Sequence, residues 1–279
     1  MQTASSQQTG HHETAEIHQS SYVDPEAFLG EDVVVGPRCH VGAGVRLERG
    51  VRLINSAHIE GPATIGAGTL VYPYVVIGMP AQDFKFSPGD PTPGVKIGSE
   101  CVIREHVTIH QATKEDRPTT IGDKCYLMVA SHVGHDCLVG NEVMLVNSAL
   151  LAGHVTIGDN AILSGNTAVH QHCRVGRLAM ISGCLGTTMD VPPFCLCDQM
   201  NVTNGVNLVG LRRSGAPRES IDAVRFAFRT VISKSLPRKE ALAKLRELGE
   251  KDPLVSEMAE FVATTVRGVG RGADRNARR

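Results

Sequence analysis

Between Ser131 and Gly176 the chain concentrates groups able to move protons: His132, His135, Asp136, His154 and His172, with Gly153 and Gln171 among them. Their spacing is regular. His135, Gly153 and Gln171 stand 18 residues apart, and so do Asp136, His154 and His172. An imidazole of ordinary pKa, near 6.5, can take a proton at neutral pH. A carboxylate next to it would orient the ring and stabilise the imidazolium that forms. A glycine amide from a neighbouring repeat could donate its N–H to a developing oxyanion. Those parts suffice for acyl transfer from a thioester to a hydroxyl, without a protein nucleophile, a cofactor or a metal. The competing chemistry is zinc-assisted hydration, which requires three converging histidines and an open coordination position.

The 18-residue spacing has meaning only if the chain repeats, and it does. Every sixth residue from Ile17 to Ile77 is aliphatic; the beat returns at Ile97, Ile103 and Ile109 and runs again from Ile121 to Ile181. Two residues before each beat the side chain is never larger than valine, as at Cys39, Val45, Ala57, Cys101, Cys125, Ala149 and Cys173. Glycine often follows the beat, as at Gly36, Gly42, Gly66, Gly158 and Gly176, and its freedom to adopt angles that a Cβ forbids suits a turn in every repeat. A six-residue period is the mark of a parallel β-helix. Three hexapeptides make one triangular coil, so residues 18 apart stack, about 4.8 Å from coil to coil. A sandwich or propeller would need longer strands and a different period. The hexapeptides resemble those of the left-handed parallel β-helix family, an accepted exception to right-handed crossovers.

Composition narrows the function. The 279 residues carry a net charge of −1, which argues against a nucleic-acid or membrane partner recruited by bulk charge. There is no 18-residue apolar run to span a bilayer. Residues 1–16 are polar and lack an apolar segment, so they read as a disordered arm rather than a signal peptide. The eight cysteines fall mostly at the small interior slot, and Cys195 and Cys197 lack zinc spacing. Buried thiols in a reducing cytoplasm are the expectation. His40 and His58 also stack 18 apart, without carboxylate neighbours, and are read as inert.

The rhythm breaks at residues 78–96 and 110–120, which leave the coil as loops, and ends after Thr187. Loops interrupting a rigid solenoid are the expected place for binding. Beyond the last beat, helical spacing appears at Ile221, Val224, Phe228, Val231 and Ile232, at Ala241, Leu242, Leu245 and Leu248, and at Leu254, Val255, Met258, Phe261 and Val262. Pro237 and Pro253 divide these into three amphipathic helices. The expected organisation is an arm over 1–16, an all-β left-handed parallel β-helix over 17–187, a connector and small C-terminal α-helical domain over 188–266, and a frayed basic tail over 267–279. Helices packed on the last coil would serve as its end cap.

The strings SHVGHDCLVGN (131–141), LAGHVTIGD (151–159), AVHQHCRVG (168–176), DVPPF (190–194) and GVNLVGLRR (205–213), with QDFKF (82–86) and IREHVTIH (103–110), resemble the acyl-carrier-protein–UDP-N-acetylglucosamine O-acyltransferases of lipid A biosynthesis. The resemblance spans roughly residues 17–265, and its force lies in the ordered motifs outside the repeat. It implies a cytoplasmic homotrimer with active sites in clefts between subunits. It implies transfer of a 3-hydroxyacyl chain from acyl-phosphopantetheinyl acyl carrier protein to the glucosamine 3-hydroxyl of UDP-N-acetylglucosamine. His135 would be the general base, Asp136 its partner and Gly153 the oxyanion amide. Asp83, Lys85, His110, His132, His154, His170 and Gln171 would lie near sugar or acyl chain, Asn207 and Arg213 near the nucleotide. Gly183 would be the stop that sets chain length. No cofactor and no resident metal is implied.

The chain departs from that pattern at Gln111-Ala112, at residues 197–203, at His172, Val209 and Ser214. These positions bear on the nucleotide sugar rather than on proton transfer. An N-acyltransferase or acetyltransferase acting on another nucleotide amino sugar is therefore the first alternative. A γ-type zinc carbonic anhydrase is a second, although His132 and His135 stand three apart where its ligands would stand five apart. A non-catalytic scaffold is a third. Arg212, Arg213, Arg218, Arg225, Arg229, Lys234, Arg238 and Lys239 form a positive stretch around the first long helix. Such a stretch would steer an acidic carrier protein.

Overall fold

In the structure, a computed structural model, residues 10–272 are described, apart from Pro88 and Glu115. The chain divides into two compact units, one ending at Cys137 and the other beginning at Leu138. The division falls inside the repeat rather than at Thr187.

The first unit is a three-sided parallel solenoid of strands two to four residues long. Pairing registers follow the beat: Phe28 lies beside Arg46, Val34 beside Arg52, and His40 beside His58. The two loops lengthen their coils without disturbing the faces, since Ala63 pairs with Val95 and Val102 with Tyr126. They are slightly shorter than the sequence predicts: Val76–Met79, Val95–Ile97, Thr108–His110 and Thr119–Ile121 are strands. Beat residues such as Leu29, Leu47, Ile59, Ile103 and Leu127 are fully buried, and so are the small residues two before them. The core is thus a stack of aliphatic side chains lined by valine, alanine and cysteine. Coil-to-coil N–H···O bonds, such as His58 N–H to Val75 O at 2.9 Å, satisfy the backbone.

Two expectations need correction here. The expected disordered arm over 1–16 extends too far: Gly10–His11 and Glu16–Ile17 are strands paired with Phe28–Leu29 and Val34–Val35. Residues 1–9 lie outside the described residues. The glycine argument also changes. Left-handed backbone occurs three residues after the beat, at Asp32, Arg38, Ser56, Glu100, Lys124, Asp136 and Asn166, mostly without glycine. The glycine directly after the beat answers a different need. A Cβ on Gly36 would collide with the Ile54 carbonyl, and one on Gly66 with the backbone of Gly98.

The second unit is, by itself, likewise a three-sided parallel solenoid, with Leu138 beside Thr156, Met144 beside Ile162 and Leu150 beside Ala168. It runs beyond Thr187, because Cys195–Gln199 pairs in parallel with Met180–Ile181 and then turns back through Val202–Val206. Among the described residues four helices follow: α1 (Leu208–Arg213), α2 (Arg218–Ala227, with a wider π turn to Ile232), α3 (Arg238–Gly249) and α4 (Pro253–Ala263). The short α1 carries too few residues for periodicity to reveal it. The helices do cap the last coil: Leu178, Phe194 and Cys195 share one core with Leu211, Val224, Leu245 and Met258. Arg177 to Glu257 at 2.8 Å and Arg174 to Asp190 at 2.9 Å tie the coil to α4 and to the chain around it. The basic tail is not frayed at its start, since Gly268 O and Gly270 N bond Asp190 backbone and Arg271–Gly272 pairs with Val202–Thr203. Residues 273–279 lie outside the described residues. Seven of the eight cysteines are buried, and Cys184 is exposed. Among the described residues no helix is long and apolar enough to cross a membrane.

Candidate active site

The beat at Val133 fixes the geometry of its neighbours. Val133 points inward; His132 before it and His135 after it point outward from the same coil and are only partly covered. Asp136 occupies the left-handed position of the turn, with φ of 60°, and its side chain is 2% exposed. His135 Nδ1 lies 2.7 Å from Asp136 Oδ2. The same carboxylate accepts from Thr113 Oγ1 at 2.7 Å, Thr113 N at 3.0 Å and Lys114 N at 3.3 Å. The Asp136 N–H donates to Thr119 Oγ1 at 2.8 Å. The second loop is therefore folded onto Asp136 from both of its ends.

Burial opposes the charge of Asp136, but the hydrogen bonds from His135, Thr113 and Lys114 outweigh it and hold the carboxyl well below the usual range. An ionised carboxylate can only accept, so the His135 hydrogen sits on Nδ1 and the basic lone pair on Nε2. That is the tautomer a general base needs. Beside it, His132 Nδ1 lies 2.7 Å from Thr108 Oγ1, its partner in register on the coil below. The His110 ring meets His132 edge-on, with centroids 5.1 Å apart. Burial, with the nearby histidines, pushes His132 down to about 4 and lowers His110 as well. Both rings are neutral at pH 7. Among the described residues His110 Nδ1 is a buried polar atom without a partner, suited to a polar substrate group.

Asp83 and Lys85 lie in the first loop, where Asp83 Oδ1 accepts from Lys85 N at 3.0 Å and Phe84 is fully exposed. In the second unit Gly153 is buried, and its carbonyl accepts from His172 N–H at 3.2 Å. His154 and His172 stack with centroids 4.5 Å apart, as the 18-residue register requires. Gln171 is exposed, and His170 Nδ1 accepts from Arg267 at 3.2 Å. Gly183 is exposed, and a Cβ on it would stand 3.2 Å from the Gly165 carbonyl. Asn207 gives both side-chain atoms to the fold: Oδ1 caps α1 at Gly210 N and Nδ2 donates to Leu178 O, each at 2.9 Å. Arg213, from the last turn of α1, opens with Val209 and Ser214 onto a groove of about 930 Å³. The positioning residues Thr113 and Thr119 have no chemical signature in the sequence beyond lying in the second loop, and Thr108 is placed by its strand register with His132.

His40 and His58 require a correction. Glu60 Oε1 lies 3.1 Å from His40 Nε2 and 2.9 Å from His58 Nε2, so the pair does have a carboxylate neighbour.

Residues 190–270 match the family model of domain 2 of UDP-N-acetylglucosamine O-acyltransferases. Acyl-[acyl-carrier-protein]–UDP-N-acetylglucosamine O-acyltransferases from a Synechocystis strain and an Anaeromyxobacter strain are each 40% identical to this chain. The first match covers 67% of this chain and 67% of the relative; the second covers 76% and 83%. Among solved structures, the UDP-N-acetylglucosamine acyltransferase from Campylobacter jejuni superposes with a TM-score of 0.85 at 34% identity, over 92% of this chain and 99% of that one. The enzyme from Bacteroides fragilis gives 0.86 at 33% identity, over 91% and 100%. The left-handed parallel β-helix with C-terminal helices is the fold of this chain. On motifs, fold and sequence identity alike, the chain belongs to the acyl-[acyl-carrier-protein]–UDP-N-acetylglucosamine O-acyltransferase family.

Proposed function

We propose that this protein transfers a 3-hydroxyacyl chain from acyl carrier protein to the glucosamine 3-hydroxyl of UDP-N-acetylglucosamine, the first step of lipid A synthesis. The observation that carries the reading is the His135–Asp136 pair, at 2.7 Å, with the carboxylate locked by Thr113 and Lys114. His135 Nε2 takes the hydroxyl proton as the sugar oxygen attacks the thioester carbonyl. The tetrahedral intermediate collapses, the C–S bond breaks, and the imidazolium returns its proton to the phosphopantetheine thiolate. The resemblance gives Gly153 the role of oxyanion amide. Neutral His110 and His132 can hold sugar hydroxyls or the acyl chain's own hydroxyl without adding charge. The reaction needs no cofactor and no metal ion in this scheme. The active form would be a cytoplasmic homotrimer.

The departures from the family pattern fall into two kinds. Gln111 is buried and donates to the Gly61 carbonyl at 3.0 Å, which makes it part of the loop's anchorage. Val209 and Ser214 open onto the groove beside Arg213, where they would alter contacts to the nucleotide. Mass spectrometry of the product formed from mixed acyl-carrier-protein donors and UDP-N-acetylglucosamine tests the reading. An O-linked 3-hydroxyacyl ester is expected. Exclusive acylation of a 3-amino analogue would favour the N-acyltransferase, and an inert protein would favour the scaffold.

A further inference from the structure

On the face that carries Thr108 and His132, the coils nearer the N-terminus hold a second cluster. The His40 and His58 rings stack in parallel, 7° apart in plane with centroids 4.3 Å apart, and Tyr22 continues the stack at 5.0 Å. Both Nε2 atoms lie beside one oxygen of Glu60, 3.1 Å away for His40 and 2.9 Å for His58, and the His58 contact is a hydrogen bond. Donor atoms of a tetrahedral zinc site, bound at 2.0–2.2 Å, stand roughly 3.3 Å apart. The two N···O separations are within a few tenths of an ångström of that value. The three ligand atoms all lie within 4.8 Å of one another.

We propose that His40 Nε2, His58 Nε2 and Glu60 Oε1 form a binding site for one divalent transition-metal ion of the Zn²⁺ class. Two imidazoles and a carboxylate are a donor set suited to borderline ions and poorly suited to Mg²⁺ or Ca²⁺. A cation among them would replace the His58–Glu60 hydrogen bond with three coordinate bonds, the His40 ring turning out of the stack to direct its Nε2 lone pair at the ion. Each side chain is 36–37% exposed, which leaves solvent at the fourth position. Gly42 makes room for the carboxylate, since a Cβ there would collide with Glu60 Oε2. The ion would clip two consecutive coils together. Three coil steps, through Val76 and Thr108, separate His58 from His132, about 14 Å at the usual strand spacing. The site is thus distinct from the proton-transfer cluster.

The test is equilibrium dialysis of the full chain, stripped with a chelator, against Zn²⁺ and separately against Co²⁺, followed by metal analysis. One equivalent should bind at micromolar free metal. Co²⁺ should give the intense visible absorption of a four-coordinate ion, and saturating Zn²⁺ should raise Tm by several degrees. His40→Gln and His58→Gln should each weaken binding at least 100-fold, and Glu60→Gln at least tenfold, with metal-free Tm unchanged. Gly42→Ala should weaken it about tenfold by displacing Glu60, an independent arm if a histidine variant folds poorly. His132→Gln should bind as the parent does. Substoichiometric uptake, or uptake that the His40, His58 and Glu60 variants leave intact, would overturn the proposal.

Discussion

Asp136 holds its charge where burial opposes it, because Thr113, Lys114 and His135 all present hydrogens to it. An asparagine there would offer an amide hydrogen in place of one acceptor oxygen and would favour the wrong His135 tautomer. Asp136→Asn should therefore lower kcat about 10²–10⁴-fold with little change in KM, and steady-state kinetics at saturating sugar would reveal a failure of this account. The neighbouring histidines make a separate prediction about pH. His132, held at about 4, stays neutral in the folded chain where an unfolded one is protonated. Between pH 6.5 and 4 the unfolded chain binds more protons, so stability falls as pH falls. His110 acts in the same direction, whereas Asp136 contributes only once pH drops below the ordinary carboxylate range. Denaturant melts at pH 7 and pH 5 should show the loss. His132→Gln should shrink it without abolishing it, and an unchanged slope would assign the acid sensitivity elsewhere.

At the level of the repeat, the coil makes two distinct demands on backbone and side chain. Three residues after the beat the chain turns with positive φ, as at Asn166 with φ of 56°. Asparagine and aspartate tolerate that region; β-branched residues do not. Asn166→Val should cost about 1–2 kcal/mol, while Asn166→Gly should stay within about 0.5 kcal/mol. Equal losses in urea titrations would show that the side chain, rather than the backbone, is what matters there. Directly after the beat the demand is for space, which is why Gly36 and Gly66 lie against backbone of the next coil. The helices obey ordinary capping rules: Asp252 accepts from Leu254 N and Val255 N at the start of α4, with Pro253 in the first turn.

At the scale of the whole molecule, net charge is nearly zero, yet α2 exposes Arg218, Arg225 and Arg229 on its surface. Asp222 pairs with Arg225 at 3.0 Å and reaches Arg218 at 4.0 Å. Arg229 is then the stronger attraction for an acidic carrier protein. The double reversal Arg225→Glu with Arg229→Glu should raise the apparent KM for the acyl donor several-fold at low salt and less at high salt. Identical donor dependence at both ionic strengths would move the docking surface away from α2.

The hexapeptide beat, read without coordinates, was enough to specify the coil, its inward residues and the stacking of His154 on His172. The reason is that a period of six leaves the aliphatic face one way to be buried, and any slip of register would expose it. The His135–Asp136 pair was legible because the two are adjacent in the chain and the turn geometry is the same in every repeat. Other features came only from the folded chain. Loop residues have no period, so nothing in their order announces that Thr113 and Lys114 would close over Asp136, 23 and 22 residues away. Glu60 beside His40, by contrast, follows from two spacings taken together: His58 and Glu60, on either side of buried Ile59, share the outward side of one coil, and the 18-residue register sets His40 beside His58. Asn207, expected near the nucleotide and lining the groove with Arg213, is in addition the cap that starts α1. A helix of six residues has no pattern of its own and exists because Leu211 is buried against the last coil.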